Sequence, residues 1–305
     1  MKRYPNLFLV GAPKCGTTSM ADYLRQHPDI FVPIQKEFWF FGKDIIKRNP
    51  SMSVEKYLSY FSDWKEEKFG LDASPLMLMS KEAALEIKKS SNHAKILIML
   101  RNPIDMVHSW YDEKVYAGSE DQKTLENALA LESARKNLKK LPKNYNAVQT
   151  YLYTEIGKYH KQVERYFNIF GRENVHVIIF DDFRGSPIKE YEKVEEFLSI
   201  DHFESIKITK SNANKRSILG KFGAYLNNSP PHWMGAISQP FMSREARWKL
   251  RQFAIKFTTV KVVRKRMNIE TRQYLIGEFK KDVENLGKIL GRDLSHWCDD
   301  SSARD

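Results

Sequence analysis

One segment near the start of the chain constrains the fold more than any other. It is Gly11-Ala12-Pro13-Lys14-Cys15-Gly16-Thr17-Thr18, set between the apolar run Leu7–Val10 and a helical pattern that begins at Thr17. A short apolar run closed by Gly and Pro reads as a strand buried on both faces. Met20, Tyr23 and Leu24 form one stripe of the helix, and His27-Pro28 stops it. Strand, glycine-rich turn and helix together open a βαβ unit. Backbone N–H groups of such a turn converge, and the helix N-terminus adds partial positive charge, so the loop is an anion cradle. Lys14 adds a full charge, and Thr17 and Thr18 add hydroxyl donors. A turn that merely joins strand to helix is the plainer alternative.

The spacing Gly11-x-x-x-x-Gly16 is the first part of a Walker A loop, but the continuation departs from it. Thr17 stands where the loop lysine is expected, and Lys14 lies inside the turn. An ATP loop sets that lysine on the β- and γ-phosphates and holds Mg²⁺ with the next hydroxyl. A lysine inside the turn suits an anion that is shorter and less charged than a triphosphate.

Further strands are expected at Phe69–Ala73, Lys95–Leu100 and Val175–Phe180. Helices are expected from Ser53, near Lys81–Lys89, after Pro103, from about Gln149 to Phe170, over Pro187–Leu198 and over Ile269–Trp297. This alternation predicts an α/β fold, a mainly parallel central sheet flanked by helices, with a P-loop-like nucleotide-binding core. No repeat or linker divides the chain, so residues 1–305 read as one domain. Residues 118–147 are polar and lysine-rich and read as a surface excursion. Residues 210–268, rich in Asn, Ser, Gly and Pro at their start, read as an acceptor-side loop or lid with helices.

Arg101 follows the clearest strand, at the carboxyl end where open α/β sheets bind ligands. Ser109 lies about two helical turns further on and can face the same ligand. A guanidinium fork with a hydroxyl suits a phosphate monoester. An arginine capping the sheet edge and a solvent-facing serine are the alternative.

These two motifs resemble the 5′-phosphosulfate loop and the 3′-phosphate site of the sulfotransferase family that uses 3′-phosphoadenosine 5′-phosphosulfate (PAPS). The likeness is to its bacterial and carbohydrate-acting branches. It extends in family order through His27-Pro28-Asp29, Lys36-Glu37-x-x-Phe40-Phe41, Asp72-Ala73-Ser74-Pro75, Phe180-Asp181-Asp182-Phe183 and Leu290-Gly291-Arg292-Asp293-Leu294-Ser295-x-Trp297. The resemblance implies a PAPS-dependent sulfotransferase that moves a sulfuryl group to a hydroxyl or amine, with no metal required. The donor contacts it implies are Lys14, Cys15, Gly16, Thr17, Thr18, Arg101 and Ser109. Lys215 and Arg216 resemble the late basic segment that closes over the nucleotide.

Glu37 resembles the catalytic base, Lys14 the electrophilic stabiliser, and Lys36 a residue that orients the acceptor or assists the leaving group. A surface Glu37 paired with Lys36 is the alternative. The implied acceptor is a glycan or glycolipid. Glu113 stands where several heparan-type relatives carry a catalytic His, Ala73 where some carry Lys, and Met106 where many carry Arg. These departures argue against importing heparan specificity. Trp39, Trp110, Trp233 and Trp248 are candidates to stack on sugar rings, with core packing as the alternative.

The 50 Lys and Arg against 38 Asp and Glu leave a net charge of +12, which favours anionic partners without choosing among them. Two rival readings stay open. One is a P-loop nucleotide or small-molecule kinase, with Asp72 or Asp181 as a Mg²⁺ ligand. The other is a polyanion- or membrane-surface-binding protein using the basic stretch Arg244–Arg266. The favoured reading involves no nucleic acid. Cys15 and Cys298 have no metal-ligand spacing, and a bridge through the loop would obstruct it, so a reducing compartment is expected. Leu7–Val10 is far too short for a signal core or a membrane span, and no other segment reaches about 18 apolar residues. A cytoplasmic protein without integral membrane association is therefore expected.

Overall fold

The computed structural model describes residues 3–45, 52–208, 215–217, 259–261 and 266–299. Strand β1 (Leu7–Gly11) leads through the glycine-rich turn into helix α1 (Thr17–Leu24), then to the short strand β2 (Ile30–Phe31) and helix α2 (Val54–Leu58). Strand β3 (Phe69–Ala73), helix α3 (Ala83–Ser90), strand β4 (Lys95–Leu100) and helix α4 (Pro103–Tyr116) follow. Every residue of β1 is buried, as is β4 beyond its first residue, so the sheet is covered on both faces.

The sheet is parallel throughout its five strands, in the order β2-β3-β1-β4-β5, where β5 is Val175–Ile179. From β1 the chain moves out to β2 and β3 on one side. It then crosses to β4 and β5 on the other. The crevice at the carboxyl ends of β1 and β4 is therefore a topological switch point, where open α/β sheets bind ligands. The α/β class and the parallel sheet expected from the sequence are those observed.

Residues 118–147 are more than a surface excursion. They contain helices α5 (Leu125–Ala130) and α6 (Glu132–Lys136) and bury Leu125, Ala128 and Ala147. Glu120 and Arg135, both with fully buried side chains, form a bidentate pair at 2.8 and 2.9 Å. Pairing is what lets charged residues enter the interior, and composition alone hides it.

The expected long helix to Phe170 is also divided. A 3₁₀ turn spans Val148–Tyr151, helix α7 spans Tyr153–Gly157 and helix α8 spans His160–Phe170. Lys158 leaves helical geometry at ψ 85°. At Gly157 a Cβ would meet the Phe279 ring at 2.6 Å, so the glycine admits the close approach of the later helix Ile269–Leu290. Tertiary packing overrides the continuous amphipathic pattern here.

Helices α9 (Phe180–Gly185) and α10 (Pro187–Leu198) follow β5, and α9 meets α1 through Phe183 and Tyr23. Two short antiparallel strands, β6 (Lys215–Ser217) and β7 (Thr259–Lys261), form a second sheet. The final helix α11 (Ile269–Leu290) packs on α8 and α4, then yields to a 3₁₀ turn at Ser295–Cys298. The rest of the 210–268 lid expectation lies outside the described residues. Among the described residues no helix is long and apolar enough to cross a membrane.

Candidate active site

The phosphate-loop candidate leaves β1 beside β4, with the Ala12 N–H donating to the Met99 carbonyl at 2.6 Å. Gly16 caps α1 in the left-handed region at φ 88°, where a side chain would strain the backbone. The first-turn N–H groups of α1 have no acceptor within the helix, which leaves them for an anion at the helix N-terminus. Thr17 is buried and Thr18 exposed, so only Thr18 presents its side chain freely to solvent. Cys15 is wholly buried, and burial pushes its thiol up to about 12. Cys15 can therefore offer an anion its backbone, while its side chain serves the core. Neither cysteine is bridged.

Arg101 emerges at the end of β4, its guanidinium 5.0 Å from the Phe180 ring and 3.6 Å from Asp105. Asn102 caps α4 by accepting from the Ile104 N–H, and its amide donates to the Trp297 carbonyl at 2.9 Å. That bond ties the α4 N-terminus to the 3₁₀ turn near the C-terminus. Ser109 sits about two turns into α4 and is buried at 2 % exposure. The backbone of β6, which carries Lys215 and Arg216, runs within 8 Å of α4 between Cα atoms.

Glu37 approaches from the third adjacent strand end. Its N–H donates to the Ala73 carbonyl at 3.1 Å, and the next N–H, of Phe38, donates to Ser74 Oγ at 3.2 Å. Glu37 and Trp39 adopt φ of 60° and 58°. Each such residue carries about 1–3 kcal/mol of strain and persists only where its surroundings over-determine it. Below, Phe40 stacks on Tyr57 at 4.0 Å, and Phe38, Phe41 and Phe61 complete the ring cluster.

Glu37 itself is exposed, but protein surrounds the cleft it faces. That crowding pushes its carboxyl above the usual range, with Glu113 adding to the effect and Lys36, Lys14 and Lys114 opposing it. Lys36 is partly buried, which lowers its ammonium pKa against the pull of Asp22 and Glu37. Beside Glu37 a small pocket is lined by Trp39, Phe41, Ile45, Leu76 and Met77. Trp110 packs on Ile45, Leu76 and Ala147 at the same side. Trp39 and Trp110 are thus half-buried at the cleft, whereas Trp233 and Trp248 lie outside the described residues.

Sequence reasoning missed two features. The first is Lys114, 3 % exposed, whose ammonium donates to Asn146 Oδ1 at 2.9 Å and Thr150 Oγ1 at 2.8 Å. The Trp110 and Tyr151 rings flank it, and burial pushes it down to about 7. A lysine one turn from Trp110 on a mostly apolar helix face was the available signal. The second is the partner of Lys14, whose Nζ lies 3.2 Å from Glu113 Oε2. Glu113 thus holds the loop lysine from α4.

With side chains 19 % and 38 % exposed, that pair contributes at most about 1 kcal/mol. An incoming anion can therefore displace it. Glu113→Gln is expected to tighten the binding of an anion at the loop by up to roughly 5-fold in titration calorimetry. The gain should shrink as salt rises.

A sulfotransferase-domain family model matches residues 4–222, which include every site residue described above. The chain is 26% identical over 202 residues to human heparan sulfate glucosamine 3-O-sulfotransferase 5, covering 66% of this chain and 55% of that protein. It is 21% identical over 273 residues to a membrane-associated sulfotransferase of Dictyostelium discoideum, covering 66% and 57%. It thus spans a little over half the length of these curated relatives. The crystal structure of a sulfotransferase from Alicyclobacillus acidocaldarius superposes with a TM-score of 0.70 at 27% identity, covering 97% of this chain and 99% of that one. With the loop, Arg101 and Glu37 gathered at three adjacent strand ends, and with a family match across most of its length, the chain belongs to the sulfotransferase family.

Proposed function

We propose that the protein transfers a sulfuryl group from PAPS to a hydroxyl or amine of a saccharide-bearing acceptor, such as a glycan or glycolipid. The observation that carries this reading is the convergence at the switch point. Lys14 in its loop and Arg101 stand at adjacent strand ends, and Glu37 enters from the next one. Two cationic centres at one crevice fit a donor with phosphate at both its 5′ and 3′ positions. PAPS supplies an activated sulfuryl group on a phosphate leaving group.

The α1 N-terminus and Thr18 bind the 5′ end, and Arg101, with Ser109 on α4, binds the 3′-phosphate. Lys14 stabilises the charge that develops on the departing phosphate oxygen. Glu37 takes the acceptor proton as the acceptor oxygen or nitrogen bonds to sulfur. Lys36 orients the acceptor. Lys215 and Arg216, on the strand beside α4, close over the nucleotide.

The half-buried Trp39 and Trp110 beside Glu37 support a saccharide ring at the acceptor cleft. The heparan sulfate relatives point the same way. The two unpaired cysteines support a reducing, cytoplasmic setting.

Against a kinase, both proposed Mg²⁺ carboxylates are engaged elsewhere. Asp72 accepts from Tyr57 and Ser74, and Asp181 accepts from Trp297 Nε1 at 3.3 Å. Of the basic residues in the stretch assigned to polyanion binding, only Lys261 and Arg266 lie among the described residues.

Thermal-shift titration separates these readings. Adenosine 3′,5′-bisphosphate is expected to stabilise the protein without metal, and labelled PAPS to yield labelled saccharide. Arg101→Ala should weaken the bisphosphate roughly 10–100-fold while leaving a nucleotide without the 3′-phosphate nearly unaffected. Stabilisation by ATP only with Mg²⁺, without sulfate transfer, would replace this reading by the kinase. Salt-sensitive binding of any polyanion, without transfer, would replace it by the polyanion-binding protein.

A further inference from the structure

Glu37 is held in a conformation that its own backbone resists, so something beneath it must fix that conformation. The chain of contacts is short. Asp72, in the interior of β3 and 1 % exposed, has both carboxylate oxygens occupied by hydroxyl donors. Tyr57 donates to one at 2.7 Å and Ser74 to the other at 2.6 Å. Ser74, itself buried, has a single hydroxyl proton and gives it to Asp72. Its lone pairs are then free to accept the Phe38 N–H at 3.2 Å. With the Glu37 N–H on the Ala73 carbonyl, consecutive amides of the loop are locked to the end of β3. Tyr57, the other donor, is the ring on which Phe40 stacks, so the same carboxylate anchors both flanks of Glu37 and Trp39.

We infer that Asp72 is a positioning residue for sulfuryl transfer, orienting the Ser74 hydroxyl and the Tyr57 ring so that together they hold the Glu37 carboxylate at the acceptor. The inference rests on the reading of Glu37 as the base. Chemistry distinguishes it from a purely structural role. A buried carboxylate held by hydroxyls, with no cation bonded to it among the described residues, is a poor stabiliser because nothing there offsets its desolvation. Burial indeed pushes the Asp72 carboxyl up to about 6.

An amide of the same shape removes that cost but breaks the pattern. If its oxygen faces Ser74, its NH₂ faces Tyr57, and the phenol proton must turn into the ring cluster. If its NH₂ faces Ser74, that hydroxyl loses the acceptor that orients it.

The test is Asp72→Asn, with Ser74→Ala as a second variant that interrupts the chain one link later. Both are expected to lower kcat roughly 10–100-fold, the loss that accompanies a slight displacement of a catalytic group. Acceptor KM and bisphosphate Kd should stay within about 2-fold, because the loss falls on the chemical step. The melting temperature of Asp72→Asn should not fall. A normal kcat in both variants would overturn the inference. So would a Kd or KM that rises in step with the loss, or a collapse in stability that accounts for it. Glu37→Gln separates the two layers of the reading. If it keeps full turnover, Glu37 is not the base and both readings fall. If it loses turnover while Asp72→Asn does not, only the positioning role falls.

Discussion

Glu37→Gln is expected to lower kcat by roughly 10²–10⁴-fold, the usual contribution of a general base. Nucleotide affinity should be nearly unchanged. The amide keeps the shape of the side chain, and the two backbone hydrogen bonds that set the loop do not involve it. What disappears is the proton acceptor.

The pH dependence gives a second readout. Crowding around the cleft and the neighbouring Glu113 raise the Glu37 carboxyl above the ordinary range. Only the ionised form accepts a proton, so wild-type kcat should rise with pH through a midpoint above about 4.3, the unperturbed glutamate value. That limb should be missing in Glu37→Gln. Single-turnover rates against pH, beside bisphosphate titration, measure both. A variant with normal turnover would leave the site without its base.

Arg135→Met is expected to destabilise the fold by about 3–5 kcal/mol, the cost of leaving a buried carboxylate without its partner. Both side chains of the pair are fully buried. Glu120 also accepts from Tyr153 Oη at 2.6 Å and from the Asp121 and Gln122 amides at 3.0 Å each. Burial would raise the Glu120 carboxyl, but the Arg135 and Tyr153 hydrogen bonds outweigh it and hold it below the ordinary range. A depressed carboxyl contributes stability above its unfolded pKa and loses it as pH falls through the folded value. The wild-type melting temperature should therefore drop on acidification.

Adding Glu120→Gln to Arg135→Met should recover much of the loss at neutral pH, because a neutral amide still accepts from Tyr153 and needs no cation. Urea unfolding followed by circular dichroism measures each step. An Arg135→Met loss below about 1 kcal/mol would show that water reaches the pair. The stake is functional as well as structural. This pair holds residues 118–147 together from within, and Glu120 ties them to Tyr153 outside the stretch, whose end carries Asn146 and Ala147 beside Lys114 and Trp110.

Much of the architecture was legible along the chain. Continuous apolar runs marked β1 and β4, because strands covered on both faces have few polar positions to spare, while β3 and β5 were legible despite Asp72 and His176 within them. The boundary of α4 was legible in Asn102-Pro103, a side-chain cap followed by the residue best suited to a first helical turn. The break between α7 and α8 was not, since the apolar stripe Leu152, Ile156, Tyr159, Val163, Tyr166 and Phe167 runs across it without a proline. What divides it is the approach of Phe279 from more than 120 residues away. The buried ion pair in residues 118–147 was equally hidden. Glu120 and Arg135 look like any surface charges until each is seen to satisfy the other.

For the glycine-rich loop, the sequence by itself determined the cradle and the placement of Lys14 within it. Those follow from local chemistry: a strand end, glycines free to turn, and a helix N-terminus. Arg101 was legible for the same reason, as a cation at the end of an unmistakable strand. Tertiary structure alone decided the partners. Lys14 meets Glu113 across 99 residues of chain, and Lys114 lies buried behind the site among groups from residues 146–151. The Glu37 backbone is held by Ala73 at the end of β3 and that of Phe38 by Ser74 just beyond it. The physical reason is common to all three. A residue's capacity to bind or transfer charge is local, but its pKa, its orientation and its counter-ion depend on which distant groups the fold brings beside it.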